Sequence, residues 1–422
     1  MYLKIWILNH YATDMYFDGT GRHQGFAKYL IKDGHDVKIF CASTVHNSDI
    51  NVDTEGKKYI ELIGQDQVPY VMVKTSNYVG NGKQRIKNMV EFYLKIFGVM
   101  KEEVNKNGKP DVILASSVHP LTLVAGIQFA KKIKCPCICE VRDLWPLSIV
   151  EYSNISNNNP AIQLLYKLEH WIYKKCDALV FSFSNGKQYI IDKGWDKDID
   201  IGKVHYINTG IDLELYMENV NNSSYTDKDL DDSSTFKIIY TGSIRKVNDL
   251  KTVVDAAQVL EQKYKNVRFI IYGDGDERAP LMEYCTNNNI KSVLFKGKVP
   301  KQAIPAILEK GNLLLINVKK NRLARYGVSW NKLFEYMASG KPIIANNYTD
   351  IINDNDIGYS NFFNDINEYV NTIEHFINMS EKETESIKNN CLNSIKTYDC
   401  KVLSNEVVRI ANHLLNSEKE QK

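Results

Sequence analysis

The chain has 422 residues, more than one ordinary hydrophobic core accommodates, and suits two domains of roughly 200 residues each. Apolar residues make up 44% and charged residues 25%, which excludes disordered, collagenous and multi-span membrane classes. Lys plus Arg number 53 against 51 Asp plus Glu, a formal charge of +2, so no global field argues for a nucleic-acid partner and any anion must be met locally.

The opening residues, MYLKIWILNHY, lack the basic start, long apolar stretch and cleavage site of a secretory signal. They read as a first buried strand of a cytoplasmic protein. Short β-branched runs then alternate with helical patterns, the trace of βαβ units and a parallel sheet. Strands are expected at Lys4 to Leu8, Val37 to Cys41, Val71 to Lys74, Val112 to Ala115, Cys137 to Val141, Ala178 to Phe183 and Val204 to Ile207. Val112 to Ala130 carries no formal charge, yet Ser116, Ser117, His119, Pro120 and Thr122 in its middle argue for strand, turn and helix over a membrane span. Cys135, Cys137 and Cys139 alternate as in a strand, without the spacing of a zinc site, so the eight cysteines read as reduced and mostly buried.

Between Lys83 and Lys109 there are seven Lys/Arg and three Glu, with Ile86, Val90, Tyr93, Phe97, Met100 and Val104 at helical spacing. This is a packing helix of the first domain or a basic amphipathic helix resting on an anionic membrane. The alternation stops at residues 211–235, a polar, acidic run read as a linker. It restarts with strands at Lys237 to Tyr240, Arg268 to Tyr272, Val293 to Lys296, Leu313 to Asn317 and Pro342 to Ala345. At Ser380 a capping box with Glu383 opens helix that continues to the end. The expected domains are therefore 1–210, a linker 211–235, a second domain 236–395, and a C-terminal helix 396–422 packing back on the first domain.

In open parallel sheets, ligands sit beyond the carboxyl ends of strands, so the residues following each strand carry the candidate chemistry. Gly19, Gly21 and Gly25 follow the first strand and precede an apolar helix, a turn suited to an anion or simply a tight turn. Ser116-Ser-Val-His119-Pro120 ends another strand, and His119 there can meet a sugar hydroxyl or a phosphate, or be a satisfied structural histidine. Glu140-Val-Arg142-Asp143-Leu-Trp145-Pro146 offers acceptor positioning by Arg22, Glu140, Arg142, Asp143 and Trp145, or an Arg–carboxylate network holding the loop. In the second half, Gly242 precedes Arg245 and Lys246, two cations that suit a diphosphate. Gly273 and Gly275 end the next strand, and Lys298 and Val299 follow Gly297 at the one after. Gly327, Val328 and Ser329 lead into a helix that carries Lys332 and, about two turns in, Glu335, with Gly340-Lys-Pro342 closing it. Free amides at that helix start suit phosphates, and a carboxylate at Glu335 can accept two ribose hydroxyls.

Taken in order, GRHQGFAKYLIKDGHDV, SSVHP, EVRDLWP, INTGIDLELY, YTGSIRK, YGDG, FKGKV and NKLFEYMASGKP resemble the retaining glycosyltransferases of the GT-B fold, family 4, over nearly the whole chain. EVRDLWP and NKLFEYMASGKP are most similar to the bacterial surface-polysaccharide branch. The resemblance implies an α/β fold of two doubly wound Rossmann-like domains facing across a cleft, with the C-terminal helix closing back on the first. It implies a UDP- or GDP-sugar donor on the second domain, with Arg245 and Lys246 at the diphosphate and Glu335 at the ribose. Gly327, Val328 and Ser329 would meet the phosphates through backbone amides. Gly19, Gly21 and His119 would complete the donor-sugar side, and a glycan or lipid-linked glycan acceptor would enter over Arg142, Asp143 and Trp145. No cofactor and no metal are expected, because cations and helix amides can neutralise the leaving diphosphate.

The sequence departs from the family where an earlier glutamate is usual, which is Gly327 here. The usual Lys-Gly before the helix after the diphosphate loop is Asn248-Asp249, and a common proline before Glu335 is Trp330. Two other readings stand beside the transferase. One is a non-catalytic GT-B partner subunit that binds nucleotide-sugar, and the other is a nucleotide-sugar epimerase. Donor incubated without acceptor separates the epimerase, and binding without transfer marks the subunit.

Overall fold

A computed structural model describes residues 2–80, 82–117, 119–153 and 155–420, the side chains of 418–420 excepted. The chain divides into two compact units, Met1–Asp212 with Cys400–Lys422, and Leu213–Asp399.

The first unit holds strands β1 (Lys4–Leu8), β2 (Asp36–Ala42), β3 (Tyr59–Ile63), β4 (Pro69–Val73), β5 (Val112–Ser116), β6 (Cys137–Val141), β7 (Ala178–Phe181) and β8 (Val204–Tyr206). They form one sheet in the order β3-β4-β2-β1-β5-β6-β7-β8. All pairs are parallel except β3 with β4, which run antiparallel at the edge. The central strands are buried on both faces, as strands covered by helices must be, and so read as continuous apolar runs. β3 alternates buried and exposed residues and lies outside the parallel rhythm, which is why the sequence reading lacks it.

The long helix Lys83–Asn107 buries Asn88, Met89, Phe92, Ile96, Val99, Met100 and Glu103 against this unit. The stripe expected from the sequence is thus split: Met100 points inward, whereas Ile86 and Val90, with Leu94, are exposed. The segment Val112 to Ala130 is strand and then helix (Pro120–Ile133), and among the described residues no helix is long and apolar enough to cross a membrane. All eight cysteines are buried and free.

The second unit holds β9 (Phe236–Thr241), β10 (Val267–Tyr272), β11 (Val293–Gly297), β12 (Leu313–Ile316), β13 (Ile343–Ala345) and β14 (Gly358–Ser360), all parallel, in the order β11-β10-β9-β12-β13-β14. The three-residue edge strand β14 is too short to leave a sequence pattern. Of the stretch read as a linker, Leu213–Asn222 and Lys228–Asp231 are helical. Its acidic residues are not simply solvated: Lys296 Nζ donates to Asp227 (2.7 Å) and Asp229 (2.6 Å), and Lys310 Nζ donates to Asp231 (2.5 Å) and the Tyr225 carbonyl (2.7 Å). These bonds strap the segment to β11 and to the end of the helix Ile304–Glu309.

The capping box at Ser380 forms in both directions and starts the helix Glu381–Ser394. The helix does not run on to the C-terminus. A 3₁₀ turn at Ile395–Tyr398 breaks it, and a separate helix, Cys400–Glu420, joins the first unit's core. There it packs against the helix Arg22–Lys32, where a Cβ on Gly25 would lie 2.7 Å from Cys400 Sγ.

Candidate functional site

In each sheet the strand order reverses direction beside the first strand of the unit. From β1 the chain builds outward to β2 and β4, then returns to place β5 on the other side; β9 stands likewise between β10 and β12. At such a switch point the two neighbouring loops part, leaving a crevice at the carboxyl ends. The candidate residues are those after β1 and β5 in one unit and after β9 and β12 in the other.

In the second unit, β9 leads into Gly242. Its φ of 137° is open to glycine, and a Cβ there would lie 2.6 Å from Lys332 Nζ. A Cβ on Gly273 would stand 1.7 Å from the Gly242 carbonyl oxygen, so the two loops touch backbone to backbone. Their amides are spent in holding one another: Gly242 N–H donates to the Tyr272 carbonyl (2.9 Å), Ile244 N–H to that of Asp274 (2.9 Å), and Gly273 N–H to that of Gly297 (2.8 Å). Gly242, Gly273 and Gly275 therefore build the floor of the site and present no free amides to a ligand. Arg245, Lys246 and Lys298 are exposed, and their side chains make no hydrogen bond or ion pair among the described residues. Val299 is half-buried.

Asp249, standing where the family has glycine, adopts a left-handed φ of 44°, which aspartate tolerates better than most residues. Asn317, after β12, donates to the Asp249 carbonyl (2.6 Å), and Asn248 donates to Ser243 (2.7 Å), so side chains close the loop that carries the two cations.

The helix Asn331–Ala338 follows Gly327, whose φ is 96°. It buries Leu333, Phe334, Tyr336, Met337 and Ala338, which leaves Lys332 and Glu335, three residues apart, half-buried on the opposite face. Tyr336 sets its register: the Thr241 amide donates to Tyr336 Oη (2.9 Å), and Oη donates to the Leu315 carbonyl (3.3 Å), linking the helix to β9 and β12. The amides of Val328, Trp330, Asn331 and Lys332 have no acceptor among the described residues. Burial pushes the Glu335 carboxyl up to about 7, opposed by the charges of Lys301 and Lys332. Burial likewise draws the Lys332 ammonium down to about 7, opposed by Glu335. Lys332 Nζ lies 4.0 Å over the Tyr240 ring, and neither the Lys332 nor the Glu335 side chain makes a hydrogen bond among the described residues. The helix start can take an anion, and the carboxylate can accept hydroxyls.

In the first unit, Gly19 ends the helix Thr13–Asp18 with φ 65° and spends its amide on the Met15 carbonyl, while Gly21 opens the next helix with φ 116°. Arg22 and Glu140, expected on the acceptor side, are not surface groups: their side chains are 0% and 1% exposed. Arg22 Nε donates to Glu140 Oε1 (2.7 Å), and its guanidinium also donates to the carbonyls of Ile207 (3.0 Å), Asn208 and Thr209 (3.2 Å). Glu140 also accepts from His23 Nε2 (2.9 Å) and Ser116 Oγ (2.7 Å). Burial alone would raise its pKa, yet the Arg22 and His23 partners hold it well below the usual carboxylate range. Of the EVRDLWP group, Asp143 is exposed and Arg142 and Trp145 are half-buried, so these three remain able to meet a ligand.

His119 has no exposed surface. Burial, helped by the Arg85 charge, draws its imidazole down to about 3, so it is neutral near pH 7. Its Nε2 lies 2.5 Å from Nδ1 of His10, the second residue after β1. His10 and Tyr336 escaped the sequence reading. His10 follows a strand end and could have been found by that rule, whereas Tyr336 is indistinguishable in sequence from any other apolar position on a packed helix. Among the described residues no group of three or more His, Cys, Asp or Glu side chains could hold a metal ion.

Residues 19–215 match the family Glycosyltransferase Family 4, and residues 224–391 match Glycosyl transferases group 1. No curated protein matches the chain in sequence. Among solved structures, a sucrose-phosphate synthase from Thermosynechococcus elongatus superposes with a TM-score of 0.72 at 14% identity, covering 98% of this chain and 100% of that one. A trehalose-6-phosphate structure from E. coli, bound with UDP-2-fluoro glucose, gives 0.71 at 11% identity over 97% and 98% of the two chains. Anabaena HepE in complex with UDP and glucose gives 0.64 at 15% identity over 97% and 99%. At these identities the structural likeness establishes the fold, two Rossmann-like α/β units of the GT-B type.

Proposed function

We propose, for a chain that carries a glycosyltransferase family 4 domain and a glycosyltransferase group 1 domain, that it is a retaining glycosyltransferase moving a sugar from a UDP- or GDP-sugar to a glycan or lipid-linked glycan acceptor in bacterial surface polysaccharide assembly. One observation carries this reading: the half-buried Glu335 carboxylate and the unpaired cations Arg245 and Lys246 sit on two elements that Tyr336 and Thr241 join. That is the chemistry needed to hold a ribose by its hydroxyls and a diphosphate by its charge. Neighbours of the same fold bound with UDP or a UDP-sugar support the choice of donor class.

Departure of a nucleoside diphosphate places growing negative charge on its oxygens. Arg245, Lys246, Lys332 and the amides from Val328 onward would stabilise that charge without a resident metal. The departing phosphate would then take the acceptor's proton on the same face, which gives retention. His119 belongs to the donor-sugar side, and Arg142, Asp143 and Trp145 to the acceptor side. The test is binding and transfer with a panel of UDP- and GDP-sugars, with Glu335→Ala and Arg245→Ala each lowering turnover by about tenfold or more. Normal transfer by both variants would overturn the assignment.

A lipid-linked acceptor would bring the protein to a membrane surface. Ile86, Val90 and Leu94 project from a helix that also carries Lys83, Lys87 and Lys95, and Leu94 is 65% exposed. Flotation with vesicles containing anionic lipid, reduced by Leu94→Glu and by high salt, is the expected outcome; flotation unaffected by either would sink this part of the reading.

A further inference from the structure

The segment between β12 and the helix Asn331–Ala338 is strongly basic. From Asn317 to Phe334 it carries Lys319, Lys320, Arg322, Arg325 and Lys332 and no acid. The first four of these cations are exposed. Hydrogen bonds fix the segment against the loop after β9. Lys319 N–H donates to the Val247 carbonyl (2.8 Å), and Asn317 Nδ2 donates to the Asn248 carbonyl (3.2 Å) as well as to that of Asp249. Arg245 and Lys246 stand on that second loop, so cations occupy both of the loops that border the switch point. Acids lie elsewhere or are engaged. Asp274, Asp276 and Glu277 follow β10, on the far side of β9 from β12, and the Asp249 carboxylate accepts from Thr252 Oγ1 (2.9 Å) within its own loop.

Arg245, Lys246, Lys332 and the amides from Val328 onward already answer a diphosphate, which leaves the other cations of the segment in surplus. Lys320 is turned away: its Nζ lies 5.0 Å over the ring of Phe362, which follows β14, on the side opposite β9. Arg322 and Arg325 belong to the 3₁₀ turn Arg322–Tyr326, whose start is capped by Asn321 Oδ1 accepting from Leu323 N–H (2.9 Å). Three residues per turn put the two arginines on one edge of it. The turn runs directly into Gly327 and the helix start, so the Cα of Arg325 stands three residues from that of Val328, at most about 11 Å away. Tyr326 and Val328 are buried, and Val318, Leu323 and Ala324 are half-buried, so the segment presents its charges with no exposed apolar side chain to insert into a lipid surface.

We infer that Arg322 and Arg325 hold a carboxylate on the donor sugar, so that the donor is a nucleoside diphosphate hexuronic acid and not a neutral hexose. A planar guanidinium meets a carboxylate with two parallel N–H donors, a match that a hydroxyl cannot offer. A neutral sugar would exchange water for hydroxyls at these two side chains and gain little. The inference rests on the reading of the second unit as a nucleotide-sugar site.

The test is isothermal titration of the full-length protein with UDP, UDP-glucose, UDP-galactose, UDP-glucuronic acid and UDP-galacturonic acid, and with GDP, GDP-mannose and GDP-mannuronic acid. Within the nucleotide series that binds, a uronic acid should bind about tenfold or more tighter than the neutral sugar of the same configuration. Arg322→Gln and Arg325→Gln should each erase most of that preference and leave the affinity for the free nucleoside diphosphate unchanged. Lys320→Gln, which removes a charge that points away, should leave the preference in place. Equal affinity for neutral and acidic sugars, or a preference that both arginine variants keep, or one that Lys320→Gln removes as well, overturns the inference. Failure of every one of these compounds to bind overturns instead the donor reading beneath it.

Discussion

Glu335 and Lys332 are an instance of two opposite charges that burial makes costly and proximity makes useful. Each is displaced toward neutrality, the carboxyl up to about 7 and the ammonium down to about 7, with no hydrogen bond to a protein group among the described residues. Their signs fix a pH dependence for donor binding. Glu335 accepts ribose hydroxyls best when ionised, which holds above about 7 and is lost as pH falls. Lys332 meets a diphosphate as a cation, which holds below about 7 and is lost as pH rises. Affinity for a nucleoside diphosphate should therefore peak near neutrality, by isothermal titration from pH 5.5 to 8.5. Glu335→Gln should flatten the acid limb and Lys332→Met the alkaline limb; a flat native profile would show that these groups do not face the ligand. At this scale the sequence revealed residue types and their order but not their exposure. Arg22 opens a helix and Glu140 lies near the end of β6, beside Arg142 and Asp143, and only the packing of Asn208, Thr209 and His23 around the first two separates a buried network from a ligand-facing loop.

Elements were legible where their pattern comes from local chemistry. Twelve strands were expected and all twelve are found; ten of them lie inside their sheets, where a strand covered on both faces must be a short apolar run. Of the four edge strands β8 and β11 were found, whereas β3, which alternates buried and exposed residues outside the parallel rhythm, and β14, only three residues long, escaped. The break at Ile395–Tyr398 escaped too, since the helical pattern runs through it. What joins elements was not legible, and Tyr336 shows why: one phenol ties the helix Asn331–Ala338 to β9 and β12 through backbone groups that any sequence would supply. Tyr336→Phe keeps the ring and removes only these bonds. It should cost about 1–2 kcal/mol in urea unfolding and raise KM for the donor more than it lowers kcat, because the helix start and Glu335 lose their register on the sheet. An unchanged KM with reduced stability would confine Tyr336 to a structural role.

For the whole molecule, chain order and folding unit do not coincide. Leu213–Asp399 is contiguous, whereas the first unit is closed by a segment that arrives only after the second has been made. Cys400, Leu403, Val407, Ile410 and Ala411 belong to the same hydrophobic cluster as Ile5, Phe26, Leu30 and Val37. Leaving them out would expose the packed face of the helix Arg22–Lys32 and forfeit several buried side chains at about 1.5–3 kcal/mol each, comparable to the entire stability of a domain. A chain ending at Asp399 should therefore express with a first unit that is aggregated or loosely packed, while the second unit still unfolds cooperatively and still binds nucleoside diphosphate. Supplying residues 400–422 as a peptide should restore a second cooperative transition. Gly25→Leu in the full chain should imitate the truncation, because its side chain would occupy the place of Cys400. Two transitions in the truncated chain, at native midpoints and without peptide, would mean that the helix merely decorates a unit already complete without it.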